Sequence, residues 1–309
     1  MHAVDDVIAG LYRPARMTQT IEGLSEISAR YDVLLSDVWG VIHNGREAFA
    51  EPCAALARWR AERGPVILIS NSPRPFPAVI EQLDALGVPR DAWSAVVTSG
   101  DATRVLLAAR APGPAWRIGP DRDDPLYEGL GLVFAPLEAA RFIACTGPND
   151  DETETPEDYR QALTLAAGRG LEMVCANPDR VVQRGDRLIY CGGALAALYE
   201  SLGGQVVMAG KPYAAIYDLC LEAAAGLLGA RLDPARVLAI GDGPLTDIVG
   251  AAGQGLDVLF IAGGIHGEAA VAADGSLNLA AAEAALAEAG ARATFVSAAL
   301  AWQPPRQSR

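Results

Sequence analysis

The chain reads as an α/β protein: a Rossmann-like, doubly wound parallel sheet with a second α/β domain inserted into it. Three observations predict this. Short continuous apolar runs rich in Val, Ile and Leu recur at residues 33–35, 66–69, 95–97, 237–240 and 258–261, as expected of strands buried on both faces. Longer Ala- and Leu-rich stretches of helical character follow them, the alternation of βαβ units. A second set of apolar runs, at 116–118, 132–134, 142–145, 173–175 and 188–190, lies between turn-rich segments at 111–114 and 201–204.

Taken in order, residues 1–32 read as a helical lead-in, with Thr20 or Ser25 as candidate caps. The core domain then comprises residues 1–111 and 206–309, and the inserted domain 112–205. The tail from 303 to 309 is polar, holds two prolines and reads as frayed.

Composition excludes several classes. The 309 residues carry 25 basic and 38 acidic side chains, a net charge of −13. That charge argues against nucleic acid and an anionic membrane surface as partners. Hydrophobic residues at 51% suffice for a packed core, and charged residues at 20% do not indicate disorder. No run of eighteen apolar residues reads as a membrane span, and the N-terminus does not read as a signal peptide. Five widely spaced cysteines without a CxxC pattern imply buried free thiols in a reducing cytoplasm. A homo-oligomer is compatible with this composition. Of the 25 basic residues, 24 are Arg and one, Lys211, is Lys.

Four clusters stand at expected strand ends, where open parallel sheets bind ligands. Asp37 follows the first run in LLSDVWGVIHNG. A carboxylate there serves as nucleophile or metal ligand, or equally as a turn cap; Gly40 would let the chain turn sharply behind it. Ser70-Asn71-Ser72 follows the second run and offers a hydroxyl to an oxyanion, although an ordinary Ser/Asn/Pro turn explains it as well. Gly210-Lys211-Pro212 follows the apolar run 206–208. An ammonium there neutralises a phosphate or holds a carboxylate charged. A solvated surface lysine is the ordinary alternative, weakened here because surface positive charge is otherwise Arg. Asp242 and Asp247, in GDGPLTD, set two carboxylates across a Gly/Pro turn, a pattern suited to a hard oxygen-liganded cation such as Mg²⁺, or to a glycine-rich loop with solvated acids.

In the order Asp, Ser, Lys, Asp–Asp, these clusters resemble the haloacid dehalogenase-like hydrolase superfamily, class IIA, NagD-like branch, over roughly residues 31–265. Asn177-Pro178-Asp179 and Gly192-Gly193-Ala194 are similar to that branch's cap. The resemblance implies a Mg²⁺-dependent phosphatase of small phosphorylated metabolites acting through an aspartyl phosphate. It implies Asp37 as nucleophile, Ser70 and Lys211 on the transferring oxygens, and Asn71 and Asn177 toward substrate. The metal would be held by Asp37, the Trp39 carbonyl and Asp242, with Asp247 behind them holding Lys211 or a metal-bound water.

One position departs from the pattern. The superfamily's phosphatases carry a second Asp two residues after the nucleophile, where this chain has Trp39. Indole cannot serve as the general acid–base, help typically worth ~10²–10⁴-fold. His43 is a candidate substitute, or else a loop residue. The aromatic at 39 is similar to the superfamily's dehalogenases, which lack the acidic pair at 242 and 247 and use no metal. A catalytically weakened phosphate- and Mg²⁺-binding regulatory protein is the alternative from another class. The phosphonate hydrolases' Schiff-base lysine has no counterpart, since the inserted domain contains no Lys. Receiver domains also set Asp, Ser/Thr and Lys around an acyl phosphate, but in far shorter chains. Arg180, Arg184 and Arg187 could meet an anionic substrate or form a solvated face.

Overall fold

The computed structural model describes residues 18–184, 187–264, 270–272 and 274–303. The first seventeen residues of the lead-in and residues 304–309 of the tail lie outside the described residues. In chain order the strands are β1 (Gln19–Thr20), β2 (Val33–Ser36), β3 (Val66–Ser70), β4 (Ala95–Thr98), β5 (Ala115–Ile118), β6 (Phe142–Cys145), β7 (Glu172–Cys175), β8 (Val181–Arg184), β9 (Arg187–Tyr190), β10 (Gln205–Met208), β11 (Val237–Gly241), β12 (Asp257–Ile261) and β13 (Phe295–Ser297).

A seven-stranded sheet runs β1-β13-β12-β11-β2-β3-β4, with every pair parallel. The winding departs from β2 in both directions, so the crevice between β2 and β11 is the switch point at which such sheets bind ligands. Alternation is hidden inside the continuous apolar runs. Leu34, Leu68, Leu238 and Leu259 point into a cluster on one face, with Leu56 and Trp59 of the helix Ala50–Glu62. Val33, Leu35, Ile67, Ala239 and Phe260 point into the other, with Ile216, Tyr217 and Cys220 of the helix Ala214–Leu228. Both faces are therefore covered, and each strand is apolar throughout because it has two interiors to fill.

The second sheet, β10-β7-β6-β5, is also parallel. It packs Ile143, Met173 and Cys175 against Leu163 of the helix Arg160–Gly168 and Leu195 and Tyr199 of the helix Gly192–Ser201. An antiparallel hairpin, β8–β9, stands apart from both sheets.

Several expectations are corrected. Residues 206–208, read from sequence as leading the second core segment, belong to an edge strand of the second sheet. Only residues 202–204 separate β10 from the helix Gly192–Ser201, a reach of roughly 10 Å, so the chain pairs with β7 beside that helix. Residues 132–134 form no strand: Phe134 makes only an isolated bridge to Ala115, and Val133 and Phe134 lie largely exposed. Residues 18–32 are not a continuous helix. Gln19–Thr20 completes the open edge of the large sheet against Phe295 and Val296, and two single helical turns, Leu24–Glu26 and Ser28–Arg30, follow. Neither Thr20 nor Ser25 caps them; Gly23 occupies the first cap position, and Glu26 accepts its N–H.

All five cysteines are buried and free. Among the described residues no helix is long and apolar enough to cross a membrane.

Candidate active site

Strand register brings the sequence-distant clusters together. Ser36 of β2 lies level with Ile240 of β11 and Leu68 of β3. Asp37, one residue past β2, therefore lies beside Asp242 just past β11, and Ser70 ends the neighbouring strand β3. The Asp37 N–H donates to the Ile240 carbonyl at 2.8 Å, which fixes the strand tip. Gly40 turns behind it with φ +78°, and a Cβ there would lie 2.0 Å from a carboxylate oxygen of Asp242; glycine serves both the turn and the close approach.

Asp247 reaches the same point from the wide helical turn Pro244–Ile248. One of its oxygens accepts the Gly243 N–H at 3.1 Å, and the other accepts the Lys211 ammonium at 2.7 Å. A Cβ at Gly241 would lie 2.1 Å from the Asp247 carboxyl carbon, so the side chain folds back over its own loop only because 241 is glycine. The spacing in GDGPLTD is thus a packing requirement.

Lys211 arrives from the connection between β10 and the helix Ala214–Leu228. It is 2% exposed, and its Nζ lies 2.5 Å from Asp37 Oδ1. Burial works against its charge, but Asp247 and Asp37 outweigh burial and hold the ammonium well above the ordinary lysine range. For Asp37 the balance is opposite: burial, with Asp247 adding to it, pushes the carboxyl well above the carboxylate range despite Lys211.

Asp37, Asp242 and Asp247 are all buried and can each offer an oxygen within 4.8 Å of the others. With all three ionised, the carboxylates against one ammonium would carry a formal charge of −2, and the upward push on Asp37 shows that Lys211 alone does not balance them. The Trp39 carbonyl accepts no hydrogen bond from the described residues. An all-oxygen donor set with this excess charge fits a hard divalent cation. Both Asp247 oxygens already accept protein donors, and Asp37 Oδ1 accepts the Lys211 ammonium.

The other candidates divide. Ser70 is buried, and its Oγ accepts the Ser72 N–H at 3.2 Å, leaving its hydroxyl proton to donate. Asn71 is committed to the protein: its Oδ1 accepts the Lys211 N–H at 2.7 Å, and its Nδ2 donates to the Lys211 carbonyl and to Asp179 Oδ1 at 3.1 and 2.8 Å. It clamps the lysine backbone and ties it to the inserted unit, a role the sequence did not suggest. Asn177 Oδ1 accepts the Asp179 N–H, and Asn177 lines a cavity of about 320 Å³ between the two sheets.

Trp39 lines the same cavity and packs edge-on against His43, with ring centroids 4.8 Å apart. His43 is 1% exposed, its Nδ1 accepts the Gly45 N–H at 3.0 Å, and burial pushes its pKa down to about 4. It therefore stays neutral in the fold and shapes the turn 38–45. Arg184 and Arg187 are paired with Asp151 and Glu152, and Arg180 is exposed. Sequence reasoning missed Arg74, Arg122 and Asp123, which also line the cavity; they come from loops that carry no motif.

Two family models and several known proteins match the chain. Residues 34–133 match the family model described as haloacid dehalogenase-like hydrolase, and residues 208–296 match a second, HAD-hydrolase-like. The crystal structure of a hydrolase of the haloacid dehalogenase-like family from Brucella suis is 46% identical, with a TM-score of 0.82, covering 91% of this chain and 99% of that one. The 5'-nucleotidase YutF of Bacillus subtilis is 26% identical over 237 residues, 76% of this chain and 88% of its own length. A glycerol phosphate phosphatase from Mycobacterium tuberculosis, solved in complex with calcium, is 26% identical with a TM-score of 0.57, covering 77% of this chain and 68% of that one.

Proposed function

The chain belongs to the haloacid dehalogenase-like hydrolase family, and from that premise we propose that it is a metal-dependent phosphatase of small phosphorylated metabolites. The observation that carries the reading is the buried cluster of Asp37, Asp242 and Asp247 around the one lysine of the chain. The named relatives support it, acting on nucleotides and on glycerol phosphate.

Asp37 is the proposed nucleophile, its Oδ attacking the phosphorus while the leaving alkoxide or phenoxide departs. Water then cleaves the resulting aspartyl phosphate, releasing inorganic phosphate and restoring the carboxylate. The Lys211 ammonium and the Ser70 hydroxyl are oriented to stabilise charge on the transferring oxygens. Asp247 holds Lys211 in place, and Asn71 fixes its backbone. Mg²⁺ is the proposed cation, held by Asp37, the Trp39 carbonyl and Asp242; when bound, it offsets repulsion between the carboxylate and the substrate phosphate. The inserted unit, beginning near 112 and ending past β10, acts as a cap over the crevice. The five buried thiols suit a reducing cytoplasm.

Trp39 shapes this reading. No acid stands two residues beyond Asp37, and His43 is buried and neutral, so the leaving group departs without a proton from either. Good leaving groups, aryl or acyl phosphates, are the expected substrates. The same tryptophan favours a second reading, a protein that binds phosphate and cation with little turnover. The buried trio, which metal-free carbon–halogen hydrolysis does not need, favours phosphoryl transfer over dehalogenation.

Hydrolysis of p-nitrophenyl phosphate with Mg²⁺, compared between the wild-type and Asp37→Asn proteins, tests the proposal. Equal rates remove Asp37 as nucleophile; phosphate binding without turnover in either protein supports the second reading.

A further inference from the structure

The cavity beside the Asp37 centre has one wall from the core and one from the inserted unit. Trp39, Ser72, Arg74 and Gln82 line the first, and Arg122, Asp123, Asp151 and Arg184 are among those lining the second. Its volume of about 320 Å³ suits a small leaving group.

The three arginines are not equivalent. Arg122 and Arg184 both pair with Asp151 Oδ2, and Arg184 also meets Glu152 at 2.8 Å, which in turn takes Arg187 at 2.7 Å. That network consumes its charges internally. Arg74 stands outside it. Its Nη2 donates to the neutral Gln82 amide, and no carboxylate among the described residues lies within ion-pair distance. Asp123 on the opposite wall is 3% exposed, and burial pushes its carboxyl up. Burial likewise works against the Arg74 charge. The Arg74 backbone is fixed close to the phosphate end: its N–H donates to Ser72 Oγ at 3.3 Å, and the Ser72 N–H donates to Ser70 Oγ. A half-buried guanidinium with unused donors, facing a cavity whose other cations are paired, is suited to an oxyanion that offers two acceptor oxygens.

We propose that Arg74 is a specificity-determining residue that binds a second anionic group, a carboxylate or a second phosphate, on the leaving portion of the substrate. This rests on the phosphatase reading of the Asp37 centre and names its substrate class: small phosphomonoesters that carry another negative charge. Lys211 and the metal donors serve the transferred phosphate, and Arg74 serves the part that leaves.

The test uses phenyl phosphate, 4-carboxyphenyl phosphate and 1,4-phenylene bisphosphate, which keep an aryl leaving group and vary the second charge. Wild-type, Arg74→Gln and Arg74→Lys proteins are compared by kcat/KM with Mg²⁺. In parallel, the same compounds are bound calorimetrically to Asp37→Asn protein with and without Arg74→Gln. The expected result is a wild-type preference of about tenfold or more for at least one compound whose leaving portion carries the second anionic group, the scale of a charge-assisted hydrogen bond. Arg74→Gln abolishes it, mainly through KM, and Arg74→Lys, which keeps the charge and loses the fork, restores part. The preferred compound identifies the second anion. A ratio of the doubly substituted compounds to phenyl phosphate unchanged in Arg74→Gln, or no preference in wild type, overturns the proposal. If wild-type turnover equals that of Asp37→Asn, the phosphatase reading fails, while the calorimetric ratio still decides whether Arg74 selects the second anion.

Discussion

Replacing Lys211 with Arg is expected to abolish activity although it conserves charge. The ammonium is wedged between Asp37 Oδ1 at 2.5 Å and Asp247 Oδ1 at 2.7 Å, with the side chain 3% exposed. A guanidinium is a wide planar fork and cannot occupy a point-charge position without moving one carboxylate. The backbone cannot withdraw to make room. Asn71 holds the Lys211 N–H and carbonyl, and a Cβ at the neighbouring Gly210 would already lie 2.5 Å from Ser99 Oγ. Displacing the charge from the transferring oxygens removes an electrostatic donor, worth roughly 10²–10³ in kcat. Lys211→Met separates charge from shape. It strands buried carboxylates without their cation, a loss on the order of 3–5 kcal/mol, and part returns when a divalent cation binds the folded state. The assays are aryl phosphate turnover for Lys211→Arg and thermal midpoints with and without Mg²⁺ for Lys211→Met. Full activity in Lys211→Arg, or a Mg²⁺-induced stabilisation of Lys211→Met no larger than that of wild type, refutes the reasoning.

Three further outcomes follow from the same contacts. Trp39→Asp restores a general acid two residues beyond the nucleophile and is expected to raise turnover of alkyl phosphates, by up to ~10²–10⁴-fold; loss of activity would place Trp39 in a working site. Asn71→Ala orphans the Lys211 N–H and weakens the link to Asp179, so urea denaturation is expected to show a loss of about 2 kcal/mol together with reduced kcat; unchanged values would remove the clamp. His43, pushed down to about 4 by burial, stays neutral while the unfolded chain takes up a proton below about pH 6.5. Its contribution is present above pH 6.5 and is lost as pH falls toward 4, by roughly 3 kcal/mol, so His43→Gln is expected to flatten the acid side of the stability curve between pH 7.5 and 4.5.

The large sheet was legible because its strands fill two interiors: Val33, Leu34 and Leu35 belong to alternate core clusters, yet all are apolar. The same signal could not say which sheet a run joins. Val206 and Met208 look no different from Val237 or Val258, and only the short connection from the preceding helix assigns them to the second sheet. Gln19–Thr20 was not legible at all, because a two-residue edge strand has no periodicity and exists only against β13.

The candidate site was legible as a gathering of side chains, at Asp37, Lys211, Asp242 and Asp247, which the strand tips and their loops bring together. It was not legible where a side chain acts on backbone, as Asn71 does, or where a charge matters because its neighbours are already paired, as with Arg74. The solitary lysine joins the two cases. Bias against Lys makes its position conspicuous in the sequence, but the proposed reason for it is a count that needs coordinates: three buried carboxylates around one ammonium, a formal charge of −2 when all three are ionised. A second buried cation on the protein would bring that charge to −1 and weaken the demand for a divalent ion; one ammonium leaves the charge that such an ion cancels. The single Lys and the proposed metal site are then one electrostatic arrangement, which is why a substitution that conserves charge at 211 but not its shape is expected to disable both.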